Sequence, residues 1–263
     1  MKSKILTCVA ASALSLATTN AAIISVNFAG RADGTTNGVA NSGGVIAPGD
    51  AAGVMNVANF NNILRSTYSP SNGSGQAGVT FTSDPLNDST AAATTVIFNI
   101  NASDSWNSES DTSTPNHTLL NGIIKANNVQ PTVPLNILTL GVGTPYTLQV
   151  YTMENDGAVG GRYSITDGTS TFYQTSQTGQ QYKTTPAFIK GANTDTTLGR
   201  PTANYVEFSG TVGANGQINV SYNYEGGSDG TGIAGFQLET IPEPSSLLLL
   251  GFASAGMFIR RRR

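Results

Sequence analysis

Apolar and β-branched residues recur at every second position along much of this chain, in short runs separated by Gly, Asn, Asp and Pro. That is the pattern of strands with one side on a core. In Tyr146-Thr147-Leu148-Gln149-Val150-Tyr151, one side carries Tyr146, Leu148 and Val150, and residues 218–224 alternate in the same way. A period of two puts one side of an antiparallel sheet on the core and leaves the other wet. The segments that qualify as strands are 23–28, 78–82, 94–101, 135–140, 146–153, 162–166, 170–174, 205–209, 217–224 and 232–238. Asp167-Gly168, between two of them, is a strong hairpin signal. Helical periodicity is absent from every 15-residue window, and short helical turns are expected only at 57–64 and 119–126. Many short strands without alternating helices predict an all-β fold, an antiparallel β-sandwich.

The two ends break this pattern. Lys2 and Lys4 precede an apolar stretch at 5–17, and Thr18-Thr19-Asn20-Ala21-Ala22 supplies small residues. Together they read as a signal peptide over 1–22, a helix while it lasts, cleaved after Ala21 or Ala22. At the other end, Pro242-Glu243-Pro244 fixes an extended stretch. An apolar run at 245–259 follows, and then Arg260, Arg261, Arg262 and Arg263. The run predicts a C-terminal transmembrane helix held on the cytoplasmic side by its arginines. At ~1.5 Å per residue it reaches roughly 22 Å, short of a ~30 Å hydrocarbon core, so transient anchoring is expected. The expected organisation is signal peptide 1–22, sandwich domain 23–240 and sorting tail 241–263.

Removing the ends changes the charge. They hold six of the 13 basic residues and one of the 16 acids, so the body keeps seven against 15, a net charge of −8. This excludes nucleic acid as a partner and disfavours anionic polysaccharide. Cys8, the only cysteine, lies in the leader, so the body has neither a disulfide nor a thiol nucleophile.

The body offers little recognisable catalytic chemistry. His117 is the only histidine, which rules out a multi-histidine metal centre, and it reads as a surface residue at a strand start. The Gly-x-Gly-x-x-Gly strings at 73–78 and 230–235 read as flexible turns, because neither runs into the helix that a dinucleotide pyrophosphate needs. The longest polar stretch, 101–116, reads as an exposed loop. It carries Trp106, the sole tryptophan and a candidate platform for a sugar ring. Asp104, Glu109 and Asp111 share that loop, and with Asp229 they are weak candidates for a Ca²⁺ site. No other cofactor is expected. Glu154 and Asp156, directly after a strand, are the carboxylates a hydrolase reading would use.

Pro242-Glu243-Pro244, the apolar run and the arginine cluster, in that order, resemble the PEP-CTERM sorting signal of Gram-negative bacteria that make exopolysaccharide. The resemblance implies export, transient inner-membrane anchoring and processing near Pro244 by an exosortase, an intramembrane cysteine protease. The cell surface or extracellular matrix is the implied destination. Four body segments, 24–28, 52–62, 146–151 and 232–239, resemble a recurrent extracellular domain of PEP-CTERM proteins that is similar to a galactose-binding-like jelly roll. The expected function is a non-enzymatic structural or adhesive surface protein associated with extracellular polysaccharide. A carbohydrate-binding module centred on Trp106 is the first alternative, and a polysaccharide-active hydrolase or lyase is the second.

Overall fold

The computed structural model describes residues 21–29, 44–64, 79–102, 104–107, 113–126, 131–154, 160–165, 171–176, 179–194, 201–224 and 231–241, all within the unit Ala21–Glu243. Its strands are β1 (Ala22–Ala29), β2 (Asn61–Leu64), β3 (Val79–Thr82), β4 (Ile97–Ala102), β5 (Asp104–Asn107), β6 (Gly122–Ala126) and β7 (Thr132–Leu138). They continue with β8 (Pro145–Glu154), β9 (Gly160–Ile165), β10 (Thr171–Ser176), β11 (Thr202–Ala203), β12 (Tyr205–Thr211), β13 (Ile218–Tyr224) and β14 (Thr231–Thr240). Two short helices, Pro115–Leu119 and Gly179–Thr184, complete the described elements.

The strands form two seven-stranded sheets. The first runs β12-β8-β14-β1-β2, with β6 and β5 continuing from β14. The second runs β11-β10-β9-β13-β7-β4-β3. Pairing is antiparallel except at β1–β2 and β10–β11. The first and last strands lie side by side, Ala22 opposite Thr240 and Asn27 opposite Gly235. The result is a β-sandwich consistent with a jelly roll.

The inward side of each alternating strand supplies the core. Val133, Leu135 and Ile137 of β7 are fully buried, as are Leu148 and Val150 of β8. Phe98 of β4 joins the two sheets: its ring meets Phe28 at 5.6 Å, Phe236 at 5.7 Å and Phe81 at 5.8 Å, all edge-on. Edge-to-face packing places the positive rim of one ring on the negative face of the next.

All the expected strands are present, with ends shifted by up to three residues, and β9 and β10 pair antiparallel around 167–168. The structure corrects four expectations. Residues 61–64 form a strand, because they pair in parallel with β1, and 122–126 form β6 on β14. The polar stretch 101–116 is not a single loop, since it contains β5, whose Trp106 pairs with Ile123. Gly232 and Gly235 lie inside β14, as the strand expected at 232–238 has them, and not in the turn read from the glycine string at 230–235. A Cβ at Gly232 would sit 1.8 Å from the Ile124 carbonyl oxygen, and one at Gly235 would sit 2.3 Å from that of Val26. Close approach of neighbouring backbones, not turn flexibility, requires glycine there.

The fourth correction concerns the first sheet's outer side, which is not wet. The segment 44–60, the helix Pro115–Leu119 and residues 179–191 roof it. A second apolar cluster including Ile46, Phe60, Leu119, Tyr151, Met153 and Tyr182 lies beneath. No helix among the described residues is long and apolar enough to cross a membrane. The expected signal and transmembrane helices lie outside the described residues.

Candidate functional site

Register places Glu207, Gln149, Gln237 and Ser25 opposite one another across β12, β8, β14 and β1, on the roofed side of the first sheet. Gln237 Nε2 donates to Ser25 Oγ at 3.1 Å and to the Ala52 carbonyl at 3.2 Å. Its Oε1 accepts from the Met55 N–H at 3.2 Å and from the Tyr151 hydroxyl. Tyr151 in turn accepts from the Val54 N–H at 2.8 Å, and its oxygen lies 3.0 Å from Gln149 Oε1. One amide and one phenol thus satisfy the backbone of the turn at 52–55, which has no strand partner of its own.

Gly53 makes the fit close. Its φ is +78°, and a Cβ there would lie 2.2 Å from Gln237 Oε1. Its N–H donates to Asn116 Oδ1 at 2.9 Å, tying the turn to the helix Pro115–Leu119. Asn62 holds the roof's other end, pairing with both backbone groups of Ile46 at 2.9 Å and accepting from Asn27 at 2.9 Å. The four segments that carry the body's family resemblance therefore meet in one buried network. Burial pushes the Tyr151 phenol well above its ordinary range, and the Val54 N–H only partly opposes this. It stays protonated and serves as a hydrogen-bonding post.

The row reaches solvent at Glu207, where Gln149 Nε2 donates at 3.1 Å and Lys190 Nζ at 2.7 Å. The Lys190 hydrogen bond, resisted by some burial and helped by Gln149, holds the Glu207 carboxyl below its usual value. A carboxyl depressed in the folded state contributes stability above its unfolded pKa. That contribution is lost as pH falls through the folded value. Wild-type protein should therefore lose melting temperature below about pH 5 more steeply than Glu207→Gln. The pair is half-exposed, so the difference stays under ~1 kcal/mol. Identical slopes in a melting series from acidic to neutral pH would remove this role.

His117 is buried on the short helix, contrary to the surface position expected for it. Thr114 caps that helix by accepting from the His117 N–H at 3.2 Å. The ring lies 3.0 Å from Ser113 Oγ and packs edge-on against Tyr182 at 5.1 Å. Burial raises the Tyr182 phenol to about 12. Both rings fill space under the roof.

Two further surfaces can be traced among the described residues. The first is a cleft of about 410 Å³ between β2 and residues 81–87, where Phe60 and Phe81 face Asn61, Asn62, Asn87 and Asp84. Asn61 closes its floor by donating to the Ser25 and Asn87 carbonyls at 3.0 and 2.8 Å. Asp84 is the one carboxylate among the described residues of its lining.

The second is the outer side of the second sheet. Register sets Thr82, Asn99, Asn136 and Asn219 in a row across β3, β4, β7 and β13. The next row runs Pro134, Ser221, Ser164 and Thr171, and a third runs Thr132, Asn223, Arg162 and Tyr173. On the other flank, Ile97 lies opposite Leu138. None of these positions is a carboxylate.

Residues 240–263 match the family described as the PEP-CTERM protein-sorting motif. The tail is a sorting motif. No curated protein matches the chain. Among solved structures, the chain is similar to the enzymatically active domain of bacteriophage CBA120 tailspike protein 4. Identity is 7% and the TM-score 0.20, with 62% of this chain and 17% of that one covered. The chain thus spans about 17% of that protein's length, and so distant a likeness carries no argument.

The PEP-CTERM residues Pro242, Glu243, Pro244 and Arg260 to Arg263 lie outside the described residues, as do Glu109, Asp111 and Asp229. Asp104 stands on β5 opposite Lys125, and so not in a loop with other acids. Trp106 is likewise on a paired strand, since β5 forms against β6. Among the described residues no group of three or more His, Cys, Asp or Glu is arranged to hold a metal ion. Sequence reasoning passed over Gln149, Gln237 and the asparagine row, because polar positions in an alternating strand read as merely solvated. The signal was available in Tyr146-Thr147-Leu148-Gln149-Val150-Tyr151, where the side opposite the core ends in a large phenol.

Proposed function

We infer from the PEP-CTERM motif that the chain undergoes exosortase-dependent export to the surface or extracellular space of a Gram-negative bacterium. We propose that the sandwich is a structural or adhesive component of that surface, associated with extracellular polysaccharide and acting without catalysis or cofactor. The tail match carries this reading. A body of net charge −8 suits a solvated matrix and a neutral glycan better than an anionic one. The inner membrane serves as a transient stop, with the exosortase and export machinery as partners.

The intact mass of the protein recovered from the host surface tests the sorting step. Loss of both ends, with the second cut near Pro244, is expected. Replacing Pro242, Glu243 and Pro244 together by alanine should leave the tail attached and the protein in the membrane fraction. Unchanged mass and surface yield in that variant would overturn the assignment. Sugar release from the host's own polysaccharide by the purified protein would overturn the non-catalytic reading.

A further inference from the structure

The first strand of the body begins where its last strand ends. Ala22 stands opposite Thr240, and the Ile241 N–H donates to the Pro145 carbonyl at 3.1 Å. Two connections close this end of the sandwich, 139–144 between β7 and β8 and 212–217 between β12 and β13. They are tied to each other. The Gly143 N–H donates to Val212 O at 2.9 Å, the Val212 N–H to Thr144 O at 2.9 Å and the Leu140 N–H to Gly216 O at 3.0 Å. The turn at 88–92 joins them through the Ser89 N–H, which donates to Ile23 O at 2.7 Å. All three connections lie among the described residues. On this frame stand Val142, 65% exposed, and Ile241, 50% exposed, two of the four large exposed hydrophobics among the described residues. Val142 is only three residues from Pro145, whose carbonyl holds Ile241.

We infer that this end of the body is a membrane-seating surface, resting Val142 and Ile241 on the lipid headgroup layer while the tail is attached. This rests on the sorting reading above and names the surface that meets the membrane. The apolar run starts at Ser245, four residues after Ile241, a reach of roughly 14 Å when extended. The headgroup layer takes about 5–8 Å of that. A body on so short a tether keeps one end close to the lipid, and that end is the one with Val142 and Ile241. Its composition suits the contact. Neither 139–145 nor 211–217 has a charged residue, in a body of net charge −8. Asp84, Asp88 and Glu239 flank this end, and the segments 21–25, 79–98, 139–147, 209–218 and 238–241 hold no Lys or Arg. Basic residues, the usual draw toward anionic headgroups, are thus missing, and the contact is apolar. Exposed aliphatics scattered singly are ordinary, but this pair adjoins the residue that leads into an apolar anchor. Two side chains are too little surface to hold the body on lipid alone, so loss of the tail frees it.

Site-specific fluorescence on vesicles tests this, using the full chain with Cys8→Ser and one new cysteine. A dye on Ala214→Cys, exposed in the 212–217 connection, reports this end. A dye on Val45→Cys, 54% exposed and next to the Ile46 that Asn62 holds, reports a surface away from it. The vesicles are phosphatidylcholine with a headgroup-level spin-labelled lipid as quencher, with or without phosphatidylglycerol. The dye at 214 should be quenched at least three-fold more than the dye at 45, without any need for phosphatidylglycerol. Val142→Asp with Ile241→Asp should abolish that difference while the chain stays on the vesicles and its melting temperature holds. Val142→Asp alone serves if the double variant fails to fold. Equal quenching of the two dyes would mean that the body tumbles on its tether, and would overturn the inference. A difference that survives the aspartates, or that appears only with phosphatidylglycerol, would overturn it too, by assigning the orientation to the tether or to charge. Self-quenching at 214 that grows with protein per vesicle would give the surface to a second copy instead. A chain that fails to bind vesicles overturns the anchoring role of the tail as well, whereas a bound chain with equal quenching sinks this inference alone.

Discussion

Gln237→Leu is expected to lower stability by about 4 kcal/mol, from the loss of hydrogen bonds to groups that stay buried. Gln237 is fully buried and satisfies Ser25 Oγ, the Ala52 carbonyl, the Met55 N–H and the Tyr151 hydroxyl. Leucine fills much the same volume, so cavity formation contributes little. The cost is desolvation. Tyr151 retains Gln149 Oε1 at 3.0 Å as an acceptor, but Ala52 O and Met55 N have no such alternative. Each unsatisfied group costs ~1–3 kcal/mol, reduced where the turn lifts to admit water. For a domain of this size the melting temperature should fall by roughly 8–16 °C, measured by circular dichroism on the full chain. Gln237→Glu should be destabilised at neutral pH and partly relieved in acid, because a protonated carboxyl keeps one donor and one acceptor. A melting temperature unchanged by Gln237→Leu would mean that the turn is held by its apolar contacts alone.

Phe98→Ala should cost about 3–5 kcal/mol, the range for removing a buried phenylalanine. Phe98 is fully buried, and its ring is shared by Phe28, Phe81 and Phe236, drawn from both sheets. Each edge-on pair adds ~0.5–1.5 kcal/mol beyond area burial. Strands on either side of the gap are pinned by their ladders and cannot collapse into it, so the upper part of the range is expected. Chemical denaturation should show a lower midpoint with an unchanged slope. A loss below about 1 kcal/mol would show that the sheets re-close around the missing ring.

The network at Gln237 also explains which parts of the fold were legible. Alternation at 146–151 and 218–224 located β8 and β13, because a strand's core side depends on its own residues. The same alternation misjudged the opposite side of β8. Gln149 and Tyr151 look like solvated positions until the roof is placed, and the turn that they meet lies about a hundred positions earlier in the chain. Val54 is 97 residues from Tyr151, and Ala52 is 185 from Gln237. β5 and β6 were missed for a related reason. Asp104-Ser105-Trp106-Asn107 has the composition of a loop, and it is strand only because Ile123 and Ile124 lie alongside. Glycines 232 and 235 were read both as strand and as turn: the glycine string suggested a turn, whereas neighbouring carbonyls in the strand demanded the absence of a side chain. His117 was misplaced because nothing in Pro-Asn-His-Thr announces that Tyr182 will cover it.

Residue order alone determined the strand periods, the acidic body without cysteine and the PEP-CTERM tail, because each depends on neighbours in the chain or on simple totals. The tertiary structure decided which polar faces are occupied. A period of two states only that a residue points away from its core. What lies beyond it, such as the roof on the first sheet, depends on contacts between distant segments that no local pattern encodes.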